Sequence, residues 1–165
     1  MLTFVTAKTT SALLVVLLGA TASLPLQASD QGTTSGIATF NAKGEVKNYK
    51  PDIVVWSGTF VGVSVVDSRK GPLHNSSWDC TGEMVNQGGN SHVADGFCLI
   101  TDPDGDTINL IWARTNVPGP AGEPKTRGTY VSGTGKYTGI QGYYTFACKQ
   151  GGTICTITAG EYKIP

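Results

Sequence analysis

Turn-forming residues punctuate this chain so often that no long helix fits between them. Asn41-Ala42-Lys43-Gly44, Arg69-Lys70-Gly71-Pro72, Gln87-Gly88-Gly89-Asn90 and Asp102-Pro103-Asp104-Gly105-Asp106 each separate runs of branched and aromatic residues. Gly, Pro, Asn and Asp favour turns because they reach positive φ, fix φ, or bond their own backbone. No window of useful length carries an uninterrupted helical 3–4 apolar period. After residue 28 leucine occurs only as Leu73, Leu99 and Leu110, replaced by Thr, Val, Ile and Tyr, side chains that suit a pleated surface. The runs read as strands over 35–40, 53–66, 77–85, 93–101, 107–114, 129–132, 143–149 and 154–163, with surface loops over 68–75 and 117–126. Eight strands at this spacing describe an all-β fold, a closed antiparallel barrel or a sandwich.

Residues 1–28 read as a secretory signal. Lys8 precedes a run from Ser11 to Ala22 centred on Leu13-Leu14-Val15-Val16-Leu17-Leu18, and Pro25 ends it. Small residues offer cleavage after Ala28 or Ala22, and the polar stretch after Pro25 favours Ala28. At about 12 residues the run is too short for a bilayer, which needs roughly 20. The expected product is one domain, residues 29–165, exported to a periplasm or secreted, with no membrane span after signal cleavage. The charges are 12 basic and 12 acidic, net zero. That balance argues against a nucleic-acid partner, which a basic face would announce.

Cys80, Cys98, Cys148 and Cys155 all follow the signal. An even count in an exported chain points to two disulfides, with three connectivities open. Proximity along the chain favours Cys80–Cys98 and Cys148–Cys155, each joining neighbouring strands of a hairpin. No CxxC occurs, and His74 and His92 share no ligand-type spacing with the cysteines. No metal site and no cofactor are therefore expected.

Alternation assigns faces. Ile108, Leu110 and Trp112 form the better interior set of their strand. In 53–66 the even set reads Val54, Trp56, Gly58, Phe60, Gly62, Ser64, large residues interleaved with glycine as a small barrel's taper requires. The odd set is apolar too, which a subunit interface would explain. Trp56, Phe60, Trp78 and Trp112 are the candidate lining of a ligand cavity. Glu83 joins them as a carboxylate whose pKa would rise if it pointed into an apolar lumen; the alternative is that it faces solvent.

Gly133-Thr-Gly-Lys-Tyr-Thr-Gly-Ile-Gln-Gly142 resembles the glycine signature of allene oxide cyclase-like and dirigent-like barrels, which small exported bacterial proteins share. Trp78-Asp79-Cys80-Thr81-Gly82, and Gly96-Phe97-Cys98 leading into the Asp102 to Asp106 turn, resemble further stretches of that family. The likeness spans roughly Ser77 to Phe146. It implies an eight-stranded antiparallel barrel, allene oxide cyclase barrel-like and calycin-like, with an apolar lumen and a trimeric homo-oligomer. In plants such barrels cyclise a fatty-acid epoxide or steer phenolic radical coupling. No catalytic residue is carried over.

Asp102, Asp104 and Asp106 invite a calcium reading, but Gly105 is misplaced for an EF-hand, and Pro103 with Asp104-Gly105 favours a hairpin tip. The two histidines fall near loops, and no Gly-x-Ser-x-Gly elbow occurs. Asn75-Ser76-Ser77 is a glycosylation sequon of use only in a eukaryotic route. Two readings follow. The first is an exported barrel binding a small apolar or aromatic ligand, either as a binding module or as a cofactor-independent cyclase or isomerase that holds its substrate in one conformation. The second is a non-enzymatic cell-envelope interaction or inhibitor protein with a filled barrel, presenting Arg69, Lys70 and Arg127 to a partner.

Overall fold

The computed structural model describes residues 29–88, 90–118, 124–149 and 153–165; the proposed signal lies outside them. Nine strands follow in order: β1 (Asp30–Thr33), β2 (Gly36–Lys50), β3 (Ile53–Val66), β4 (Ser76–Gln87), β5 (Asn90–Thr101), β6 (Thr107–Pro118), β7 (Pro124–Gly133), β8 (Gln141–Lys149) and β9 (Ile154–Ile164). A single 3₁₀ turn, Gly135–Tyr137, precedes β8. Neighbours in sequence pair antiparallel from β2 to β9, and β9 pairs back to β2 over Gly36–Thr39. That contact closes an eight-stranded barrel. β1 lies outside the count, continuing along the same edge of β9 beyond the start of β2. Closure removes most exposed edges, which suits a sheet that no helix covers among the described residues.

Two sequence expectations change. Asn41-Ala42-Lys43-Gly44 is not a turn but part of the long strand β2, which pairs with β3 from Gly36↔Val66 to Lys50↔Ile53. The reversal comes instead at Pro51-Asp52. β1 was not expected at all, because its residues Asp-Gln-Gly-Thr carry no alternation. The strands on either side of the 117–126 segment also run further than expected, to Pro118 and from Pro124.

Alternation holds where it was read. Ile108, Leu110 and Trp112 are 1%, 0% and 8% exposed, and the even residues of β3 face the interior. Its odd residues Val61, Val63 and Val65 are more than half exposed on the outer wall. Both expected disulfides form, Cys80–Cys98 and Cys148–Cys155, each between directly opposed residues of adjacent strands.

One row of the sheet sets the barrel's shape. The register aligns Gly44, Gly58, Gly82, Gly96, Trp112, Gly128, Tyr144 and Gly160 across all eight strands. Three aromatic rings lie against these glycines. A Cβ at Gly44 or Gly58 would meet Trp56, one at Gly82 or Gly96 would meet Trp112, and one at Gly128 or Gly160 would meet Tyr144, all within 3 Å. The missing side chains let the backbone approach the rings, so the wall draws inward at this level.

The Asp102 turn is closed by its own side chain. Asp102 Oδ1 accepts from the Asp104 and Asp106 amides, and Oδ2 accepts from the Tyr137 hydroxyl and pairs with the Lys136 ammonium. The bond to Tyr137 ties the β5–β6 turn to the 3₁₀ turn before β8. A lysine ammonium thus takes the place a cation would hold, and among the described residues no group of three or more His, Cys, Asp or Glu is placed to bind a metal. Burial pushes this carboxyl up, but the bonds from Lys136, Tyr137 and the two amides together hold it below the usual range. A depressed carboxylate contributes stability above its unfolded value of about 4, and that contribution is lost as pH falls through the folded value. Asp102→Asn is expected to cost about 1.5–3 kcal/mol at neutral pH and to flatten the acid limb of the stability profile. Denaturant melts between about pH 2 and 7 check it; an unchanged acid limb would show that other carboxylates set it.

Candidate functional site

The interior is filled by two runs of aromatic contact. Trp56 meets Phe60 at 4.7 Å between centroids, and Phe60 meets Trp112 edge-on at 6.0 Å. In the second run Phe40, Trp78, Tyr144 and Tyr130 follow one another at 5.6, 6.1 and 5.9 Å, and Phe146 packs on Tyr144. Four of the expected lining residues therefore do face inward, but they divide by depth. Trp78 and Trp112 are buried. The Trp78 indole donates to Ser64 Oγ at 2.8 Å, which in turn donates to the Leu73 carbonyl, so its polar end is satisfied within the core. Trp56 and Phe60 are only half-buried.

The strand pairing explains their exposure. The seam between β2 and β9 runs for four residue pairs and stops at Thr39↔Ile154. The Phe40 amide still reaches the Thr153 carbonyl. Among the described residues, β2 beyond it pairs only with β3, and Asn41–Lys50 are exposed throughout. No described strand covers the wall on that side, and Phe40, Phe60, Met84 and Phe146 lie partly exposed against the core. Trp56 lies across the Gly44–Gly58 backbone, a fixed aromatic surface beside the opening.

Deeper in, the Tyr144 hydroxyl is buried and has no hydrogen-bond partner among the described residues. Burial, and then the neighbouring Tyr130, push its pKa well above the ordinary phenol value, so it stays protonated as a donor. A buried donor without a partner costs about 1–3 kcal/mol.

Glu83 takes the solvent-facing of its two readings, and the lumen reading falls. It is exposed on the outer wall, because Gly82 and Met84 take the inward positions on β4. There it faces Asp95 across the β4–β5 ladder. Both belong to an open depression of about 1060 Å³ at the level of the glycine row, with Phe97, Ile111 and Arg127 among its lining. Arg127 stacks on the Tyr143 ring at 3.8 Å. Sequence reasoning missed this depression; its signal was the recurrence of glycine at matching positions of successive strands.

The histidines stand apart from both places. His92 is exposed on β5, while His74 is half-buried with its Nδ1 enclosed and unpaired. A second depression of about 520 Å³, at the Asp102 turn, includes His74, Lys70, Asp30 and Lys136.

No family model and no curated protein matches the chain. Among solved structures, one pterocarpan synthase dirigent protein aligns with TM-score 0.47 at 11% identity, covering 96% of this chain and 99% of its own. A second pterocarpan synthase dirigent protein aligns with TM-score 0.42, again at 11% identity, over 84% of this chain and 96% of its own. These proteins are what the chain is similar to; its eight-stranded barrel stands on its own closed ladder of strand pairs.

Proposed function

We propose that the protein is an exported barrel that binds a small, flat apolar or aromatic ligand at the opening beside the β2–β9 seam. One observation carries the reading: Trp56 and Phe60 face inward yet stay half-exposed where the seam ends. Aromatic surface left at a concave opening gains by taking up an apolar partner. Trp56 supplies the stacking face, and the unpartnered Tyr144 hydroxyl offers a donor to a polar group that reaches the interior. Two disulfides support export, since such bonds persist in oxidising compartments. Catalysis of a cyclisation or isomerisation would use the same opening to hold a substrate in one conformation.

The test is a titration with 1-anilinonaphthalene-8-sulfonate, followed by probe emission and tryptophan quenching. Saturable binding at about 100 μM probe or below is expected, with Trp56→Ala weakening it about tenfold while the barrel stays folded by near-ultraviolet circular dichroism. Binding that is absent, or indifferent to Trp56→Ala, would sink the proposal. It would favour the second reading, a filled barrel that meets a protein partner, for which the packed Phe40–Trp78–Tyr144–Tyr130 run speaks.

A further inference from the structure

The free edge of β2 is shaped for a second copy of itself. Among the described residues, this strand pairs from Ala42 to Asn48 with β3 on one side only. The Phe40 amide points away from β3, towards Thr153. Backbone direction alternates along a strand, so the amides and carbonyls of Ala42, Gly44, Val46 and Asn48 point the same way. Those of Lys43, Glu45 and Lys47 bond β3. The free groups form an unpaired strand edge, a template for strand addition. Val46 beside it is 60% exposed and Tyr49 67% exposed.

Charge selects both partner and register. The outward side chains read Lys43, Glu45, Lys47. Lysines alone would mark an edge defended against pairing, but here a glutamate alternates with them. An antiparallel pair about a two-fold axis at Glu45 would set Glu45 against Glu45 and Lys43 against Lys47, which like-charge repulsion opposes. Moving the axis to Val46 sets Glu45 against Lys47 of the other copy twice, Gly44 against Asn48 twice, and Val46 against Val46. An axis at Gly44 also matches charges, but it extends the pairing to Phe40, whose amide is already bonded to Thr153. The contact between Glu45 and Lys47 within one chain, 3.8 Å between well-exposed groups, is weak enough to exchange.

We infer that two copies associate through antiparallel β2–β2 pairing centred on Val46, joining two barrels by one continuous sheet. Val46 is paired with Trp56 on β3, so the apolar inner faces of the two hairpins become continuous in the dimer. The pairing is isologous, so it yields dimers rather than a ring of three.

Sedimentation of the protein lacking residues 1–28, from about 1 to 200 μM, tests this, since a short strand pairing is expected to be weak. A reversible dimer is expected. Glu45→Lys and Lys47→Glu should each weaken it about tenfold or more, because two symmetry-related pairs turn repulsive, and the double variant E45K/K47E should restore it. Val46→Pro removes an amide that does not bond β3, so it should abolish the dimer and leave the barrel folded by near-ultraviolet circular dichroism. Amide exchange should slow with concentration at Gly44, Val46 and Asn48 only. A monomer throughout the range, a trimer, failure of the double variant to restore association, or association dispersed by Val63→Asp on the outer wall but not by Glu45→Lys would each overturn the inference.

Discussion

Trp112→Ala is expected to destabilise the barrel by about 3–5 kcal/mol, as truncation of a buried tryptophan does when the cavity cannot collapse. The ring is 8% exposed and lies against the backbone of Gly82 and Gly96 and the edge of Phe60. Those two glycines have no side chains with which to fill the space. Neighbouring backbone is held by ladders on both sides, β4–β5 and β5–β6, so inward relaxation would break pairing. Urea denaturation of the wild type and variant measures the loss. A cost below about 1.5 kcal/mol would mean that the wall repacks, and that the row of glycines is not built around this ring.

The disulfides come next in size. Replacing Cys80 and Cys98 together by alanine is expected to cost about 3 kcal/mol, and replacing Cys148 and Cys155 about 2, since closing the longer loop removes more unfolded-state entropy. The sequence separations are 18 and 7. Packing acts in the same direction: Cys80 and Cys98 are both buried, whereas Cys148 is only partly so. Equilibrium unfolding of the two double variants sets the order. A larger loss from the Cys148–Cys155 pair would contradict the loop-length account and put the weight on how the β8–β9 hairpin is held.

What was legible in the sequence was whatever depends on neighbours along the chain. β3 was placed at its observed bounds, because fourteen residues between turn signals left little choice. The cysteine pairs followed from hairpin proximity. Asn41-Ala42-Lys43-Gly44 misled because turn chemistry is local and pairing is not: Gly44 sits in β2 opposite Gly58, where a ring crosses the backbone and a side chain would collide. β1 escaped notice for a similar reason, since the strand it pairs with, Glu161–Ile164, lies more than 120 residues further along the chain. The outward position of Glu83 was within reach. Cys80 and Glu83 differ by an odd number, so burying one exposes the other. The opening beside the seam and the outer depression were not within reach, because both depend on registers between strands.

The seam has a consequence for how the molecule assembles. Gly36–Thr39 and Ile154–Ile157 lie more than a hundred residues apart, yet four pairs between them turn a meander into a barrel. Every other strand contact of the barrel joins elements consecutive in sequence. Each of these hairpins can zip locally as the chain emerges, with little loop entropy to overcome. Closure must wait for β9, the last of the described strands, and it joins the residues most distant in sequence within the eight-stranded barrel. Until then the barrel strands form an open ribbon with two bare margins, so the chain is most aggregation-prone just before β9 pairs with β2.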